Sequence, residues 1–180
     1  GDPLYLDVCA CYANNRQAPE IYGGRYGLSS KDVTPAQMIA VFDNLAQSEP
    51  KNHFTVGIED DVTFHSLELK EEIDLCTKDT VSCKFWGLGS DGTVGANKNS
   101  IKIIGDNTDQ YVQAYFEYDT KKSGGITKSH LRFGKQPIRG SYLVKNADFV
   151  ACHNQSYMER YEIVGELKTN GVFLLNTIWS

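Results

Sequence analysis

Lys84-Phe85-Trp86-Gly87-Leu88-Gly89-Ser90-Asp91-Gly92-Thr93-Val94-Gly95-Ala96-Asn97-Lys98-Asn99-Ser100 is the stretch on which the reading of this chain turns. An apolar run, Val81 to Trp86, leads into glycines at 87, 89, 92 and 95, and a helix is predicted over Thr93 to Ile104, ending at Gly105. Strand, glycine turn and helix in that order are the context in which G-x-G-x-x-G signals phosphate binding. Gly87 is expected to take positive φ in a tight turn, and Gly89 to let an anion approach the backbone. The free N–H groups of the first helical turn, with the helix dipole, then face that anion. The candidate binding residues are Gly87, Gly89, Ser90, Asp91, Gly92, Thr93, Val94, Gly95, Asn97 and Lys98. A plain turn between strand and helix is the competing reading. A Walker loop is excluded, because no Gly-Lys-Ser/Thr follows the glycines and Lys98 sits a turn inside the helix.

Outward from this stretch, Tyr111 to Tyr118 is rich in β-branched and aromatic residues and is predicted to be a strand. In a strand–helix–strand unit it lies parallel to Val81–Trp86 across a right-handed crossover. Ligands of such sheets sit beyond the carboxyl ends of the strands. Lys121, Lys122 and Ser123, which follow this strand, would then share a crevice with the glycine turn. Two lysines and a serine suit a phosphorylated ribose, as in NADP or coenzyme A, better than the lone acid usual for NAD. An exposed basic turn explains them equally well. The charge distribution favours an anion on this side. Residues 1–80 carry 6 Lys/Arg against 14 Asp/Glu, and residues 81–180 carry 12 against 9. That excess is too small to point to nucleic acid.

The remaining sequence supplies a frame. Hydrophobic content of 41% and charged content of 23% suit a soluble globular protein, and no apolar run approaches a membrane span. Leu4 to Tyr12 alternates and is predicted to be a strand. Thr34-Pro35-Ala36-Gln37 is a helix start with a capping residue, a proline at the first helical position and a capping-box glutamine. The Met38, Val41, Phe42 and Leu45 stripe is the expected packing face of that helix. Phe54 to Ile58 reads as a strand and Glu59-Asp60-Asp61 as a solvated turn. Ile126 to Phe133 is a further strand with Lys128, His130 and Arg132 on one side. Short strands are expected over Tyr142 to Val144, Ala147 to His153 and Val172 to Asn176, with a helical turn over Ser156 to Glu162. His130 and His153 read as packed strand residues. The five cysteines have neither disulfide-like nor metal-site spacing, which implies reduced thiols. No nucleophile–base–orienter set, catalytic zinc spacing or iron–sulfur motif is present, so neither a catalytic residue nor a metal ligand is assigned.

Several further stretches make the chain recognisable. They are Gly23-Gly24-Arg25-Tyr26-Gly27-Leu28-Ser29-Ser30-Lys31, Pro50 to Ile58, Cys83 through Ser100 with Ile101 to Asp106, Lys121 to Gly134, and Ala147 to His153. Together they cover most of the chain, which resembles pyruvate:ferredoxin (flavodoxin) oxidoreductase. The resemblance implies a piece from the middle of a polypeptide several times longer. Residues 1–70 would be the end of a domain that looks like the transketolase C-terminal domain, and residues 71–80 a linker. Residues 81–180 would be most of a gamma-type domain, the one that contacts coenzyme A, truncated at its C-terminus. The fold class is then α/β, a Rossmann-like strand–glycine loop–helix–strand domain preceded by part of a second α/β domain. In that family pyruvate is decarboxylated on thiamine diphosphate with Mg2+, electrons leave singly through [4Fe-4S] clusters, and the acetyl group departs on coenzyme A. The thiamine and cluster motifs belong to other domains. By resemblance, the glycine turn contacts the coenzyme A diphosphate. Lys121 and Lys122 are an added assignment, for its 3′-phosphate. The implied partners are the remaining domains, a second copy in a homodimer, and ferredoxin or flavodoxin, with neither nucleic acid nor membrane. The implied location is the cytoplasm, or a hydrogenosome in an anaerobic protist. Two alternatives stand beside this reading: a structural interface module, and the equivalent stretch of a pyruvate:NADP fusion enzyme.

Overall fold

The computed structural model describes residues 2–27, 32–119, 124–140 and 142–178. The chain divides into two compact units, Gly1–Ile73 and Asp74–Ser180, each described by itself.

The first unit opens with helix α1 (Pro3–Tyr12), where a strand was expected. The Leu4, Leu6, Val8 alternation that suggests a strand is overridden at its start. Pro3 occupies the first helical turn behind an extended Asp2, whose carbonyl accepts the Leu6 N–H at 3.1 Å. Leu4 and Leu6 consequently point to solvent. Two-residue strands β1 (Gly24–Arg25) and β2 (Phe54–Thr55) pair in parallel, so the strand expected over Phe54 to Ile58 is shorter than predicted. Between them runs α2 (Pro35–Leu45), capped by the Thr34 hydroxyl as the sequence implies.

The packing face of α2 is not the predicted one. Ala36, Gln37, Ala40 and Asn44 are buried, whereas Met38 and Leu45 are exposed and Phe42 is 71% exposed. The cause is a pair of hydrogen bonds. Asn44 donates to the Lys51 carbonyl at 3.0 Å and accepts the Lys51 N–H at 2.9 Å. Turning this side outward would take both partners from the Lys51 backbone. In the Glu59-Asp60-Asp61 turn, Asp60 accepts the N–H groups of Val62 and Thr63 and the Thr63 hydroxyl, which hold its carboxyl down at about 2.

The second unit is a five-stranded sheet of β3 (Val81–Leu88), β4 (Tyr111–Tyr118), β5 (Ile126–Gly134), β6 (Ala147–Cys152) and β7 (Leu167–Leu175), in the spatial order β4-β5-β3-β6-β7. Helix α3 (Thr93–Asn107) joins β3 to β4. The strand–glycine turn–helix–strand order is therefore present, in a mixed α/β fold. β4 runs in the direction of β3, as predicted, but does not pair with it. β5 returns antiparallel to both and fills the place between them. The connection from Asp119 to Gly125 is short enough for a hairpin, which brings β5 alongside β4 before any other strand can compete. α3 also continues through Gly105. The glycine serves packing, since a Cβ there would come within 3.1 Å of the Val112 side chain on β4.

Alternation along the strands gives the sheet two apolar faces. Toward α3, Cys83, Ile101 and Leu131 pack with Phe85, Phe116 and Phe149. On the other face Trp86, Val150 and Cys152 pack with Val144, Tyr157 and Ile163, which come from irregular chain and a short 3-10 turn (Gln155–Glu159). Tyr142 to Val144 is not the predicted strand. The segment is held by side chains instead of a ladder: Arg132 donates to the Tyr142 and Leu143 carbonyls, and the Val144 N–H donates to His130 Nδ1 at 3.0 Å. His130 is thereby the packed strand residue expected. With Nδ1 accepting, its proton lies on Nε2, which meets Glu117 at 2.7 Å. Burial holds His130 below its ordinary range, and the bond from His130 holds Glu117 below its own. Beside them two ammonium groups lie over the Trp86 ring, Lys84 at 5.1 Å and Lys128 at 4.9 Å, and Lys84, 4% exposed, pairs with Glu166.

Candidate functional site

The strands β3, β4, β6 and β7 all run the same way, so their carboxyl ends meet along one edge of the sheet, with the glycine turn at its centre. The turn is not built as its glycine spacing suggests. Gly87 does not take positive φ. It is still in β3, opposite Thr127, and its missing Cβ makes room for the Thr93 and Thr127 side chains. The left-handed positions are Ser90 (φ 73°) and Gly92 (φ 87°), the latter being the N-cap of α3. Gly89 does provide close approach, but to the protein itself: its N–H donates to the Gly125 carbonyl at 2.7 Å.

Asp91 organises the turn. One carboxylate oxygen accepts the Leu88 N–H at 2.8 Å and the other the Thr93 N–H at 2.7 Å. Burial raises its carboxyl, but these N–H groups and the Thr93 hydroxyl outweigh that and hold it below the usual range. One orphan N–H of the helix is thus already spent on an internal anion. Val94 and Gly95, the next residues without an intrahelical acceptor, line a cavity of about 580 Å³. Its wall also includes Gly89, Ser90, Asp91 and Gly92, the ends of β4 (Tyr118, Asp119) and the start of β5 (Gly125, Ile126, Thr127). Its described lining carries two carboxylates, Asp91 and Asp119, and no basic side chain. A second cavity of about 260 Å³ adjoins it across Leu88 and Asp91, lined by His153, Asn154 and Asn176.

Six of the predicted site residues (Gly89, Ser90, Asp91, Gly92, Val94 and Gly95) therefore face one cavity. Thr93 and Asn97 are buried beneath the helix, and Lys98 turns to the Phe116 ring at 5.3 Å. Lys121, Lys122 and Ser123 lie outside the described residues. The sequence expected the chain after the Tyr111–Tyr118 strand to share a crevice with the glycine turn, and Tyr118 and Asp119 do line this cavity; the wall supplied by the start of β5 was missed. The pair Gly124-Gly125 beside a strand end was its one available signal.

The chemistry on offer is binding. Cys83 and Cys152 are buried on opposite sheet faces. Burial pushes the Cys83 thiol up to about 11 and raises the Cys152 thiol, so neither is poised as a thiolate. The His153 ring stacks on Phe85 at 6.4 Å and is paired with no nucleophile among the described residues. No group of three His, Cys, Asp or Glu suited to a metal ion occurs among the described residues, and no described helix is long and apolar enough to cross a membrane.

Known proteins resemble this chain along its whole length. Pyruvate:ferredoxin oxidoreductase of Moorella thermoacetica is 62% identical over 180 residues, and a pyruvate-flavodoxin oxidoreductase of Enterobacter agglomerans is 58% identical over 179. A mitochondrial pyruvate dehydrogenase [NADP(+)] of Euglena gracilis is 51% identical over 183. The chain spans about 15% of the length of the two bacterial relatives and 10% of the third. Among solved structures, pyruvate oxidoreductase subunit PORC of Thermotoga maritima matches with a TM-score of 0.48 and 23% identity, over 57% of this chain and 53% of that one. Residues 82–180, which hold the whole sheet but its first residue and all of the cavity, match the family described as pyruvate ferredoxin/flavodoxin oxidoreductase, and the chain belongs to that family.

Proposed function

We propose that this chain is part of an enzyme that oxidatively decarboxylates pyruvate to acetyl-CoA and CO2 with reduction of ferredoxin or flavodoxin, and that the glycine-turn cavity contacts coenzyme A. The observation that carries the second half is the placement of Val94 and Gly95, in the first turn of α3, on the wall of a 580 Å³ cavity at the carboxyl edge of the sheet. The residues present fit the nucleotide end of such a ligand: a helix start for a diphosphate, Tyr118 as an aromatic wall, and apolar Leu88 and Ile126. No cysteine is among the described lining residues, so an iron–sulfur cluster does not fit there and would be held by other domains. In this reading the first unit belongs to the transketolase C-terminal-like domain and the second to the gamma-type domain.

The substitution Gly95→Val tests the site. A Cβ at Gly95 meets nothing within 4 Å, so the helix should tolerate it while the side chain narrows the cavity. In the full-length enzyme the KM for coenzyme A should rise about tenfold or more, with the KM for pyruvate unchanged. Equal KM values would remove coenzyme A from this cavity. Dephospho-coenzyme A and NADP are the controls. Weaker binding of dephospho-coenzyme A would support a 3′-phosphate contact, and a preference for NADP would replace the assignment.

A second reading, a structural interface module, is favoured by the use of Gly87 and Gly89 for close packing against Thr93, Thr127 and Gly125. It predicts that Gly89→Val destabilises the protein while Gly95→Val changes nothing. The Euglena relative leaves open a third form of the same enzyme, with an NADP-linked acceptor in place of ferredoxin or flavodoxin.

A further inference from the structure

Three buried polar atoms between α3 and β5 have no hydrogen-bond partner: Asn97 Nδ2, Thr127 Oγ1 and Ser129 Oγ. Their level in the fold follows from geometry. Four residues of helix and two of strand both advance about 6 Å, so Thr93, Asn97 and Ile101 step along α3 in time with Thr127, Ser129 and Leu131 along β5. Leu131 and Ile101 meet in the apolar cluster, and Thr93 and Thr127 both crowd Gly87. The row is thus apolar at one end and polar under the helix start. Thr127 differs from the other two orphans in lining the 580 Å³ cavity. Valine fills the same volume and is a better strand former, so a hydroxyl at this position brings only the loss of its hydration unless something takes the bond.

We propose that Thr127 is a binding residue of the glycine-turn cavity, its hydroxyl donating to an oxygen of the diphosphate faced by the first turn of α3. This rests on the reading that the cavity takes a nucleotide. Thr127 supplies a directional side-chain contact on the strand side, where the described wall has no cation. It is thereby a specificity residue for the diphosphate rather than for the base or ribose.

The test uses the full-length enzyme, with ADP and adenosine 3′-monophosphate as competitors of coenzyme A. Thr127→Val should weaken ADP about tenfold or more, the loss expected for one hydrogen bond to a charged group, and should leave adenosine 3′-monophosphate unchanged. Thr127→Ser should bind ADP within about threefold of wild type. The melting temperature of Thr127→Val without ligand should equal or exceed that of wild type. Wild-type affinity for ADP in Thr127→Val, an equal loss for both competitors, or a clear drop in melting temperature each overturns the proposal while leaving the cavity assignment intact. A wild-type enzyme in which ADP does not compete with coenzyme A overturns both.

Discussion

Asp91 and His130 show how a single side chain sets a loop. Asp91 accepts two N–H groups across the glycine turn, and it is the capping residue in effect although Gly92 holds the N-cap position. Asp91→Ala should cost about 0.5–2 kcal/mol, as for other lost caps, read as a lower denaturation midpoint. His130 pins Val144 in its neutral form. Its folded pKa lies below the unfolded value of about 6.5, so below that pH the unfolded state binds the proton first. Its contribution is therefore complete above about pH 6.5 and is lost as pH falls toward the folded pKa. Glu117, Lys84 and Glu166 face it, and the bond from His130 holds the Glu117 carboxyl below its ordinary range. His130→Asn should flatten the stability-against-pH curve below about pH 6.5, measured by chemical denaturation at each pH. An unchanged slope would assign the acid sensitivity to other groups.

At the scale of elements, hydrogen bonds decided what hydrophobic pattern left ambiguous. The Thr34 cap and the helix after the glycine turn were legible, because capping chemistry is local. The face of α2 was not, because its choice depends on Lys51, a residue of the following loop. Asn44→Ala should accordingly destabilise by about 1–3 kcal/mol, and more than Phe42→Ala does. At the far edge of the sheet Asp148 ties three strands. It accepts the buried Ser82 N–H at 2.8 Å and receives Lys168 at 3.0 Å on both oxygens. Asp148→Ala should cost about 1–3 kcal/mol because the Ser82 N–H loses its acceptor. Lys168→Ala breaks only a half-exposed ion pair, worth about 1 kcal/mol or less. Thermal melts of the two variants compare them directly.

For the molecule as a whole, the sequence revealed the α/β class and the strand–glycine turn–helix order, but not the sheet order. Strand runs carry no label for parallel or antiparallel pairing, so the hairpin that inserts β5 was invisible, and with it the part of the cavity wall that Gly125, Ile126 and Thr127 provide. The proposed domain boundary has its own check. Glu68, Glu71 and Glu72 are exposed and lie outside any helix or strand. Limited digestion with a glutamate-specific protease should cut there first. First cuts inside the sheet would contradict a boundary in that segment.

The insertion of β5 also has a consequence in time. A ribosome delivers β3, α3, β4 and β5 by residue 134, and those elements already give each other strand partners and cover the α3 side of the sheet. The Trp86 side has no cover until the chain reaches Tyr157 and Ile163. At about 5–20 residues per second, a nascent half-sheet spends seconds with one greasy surface bare, and this is the interval in which a chaperone would be needed.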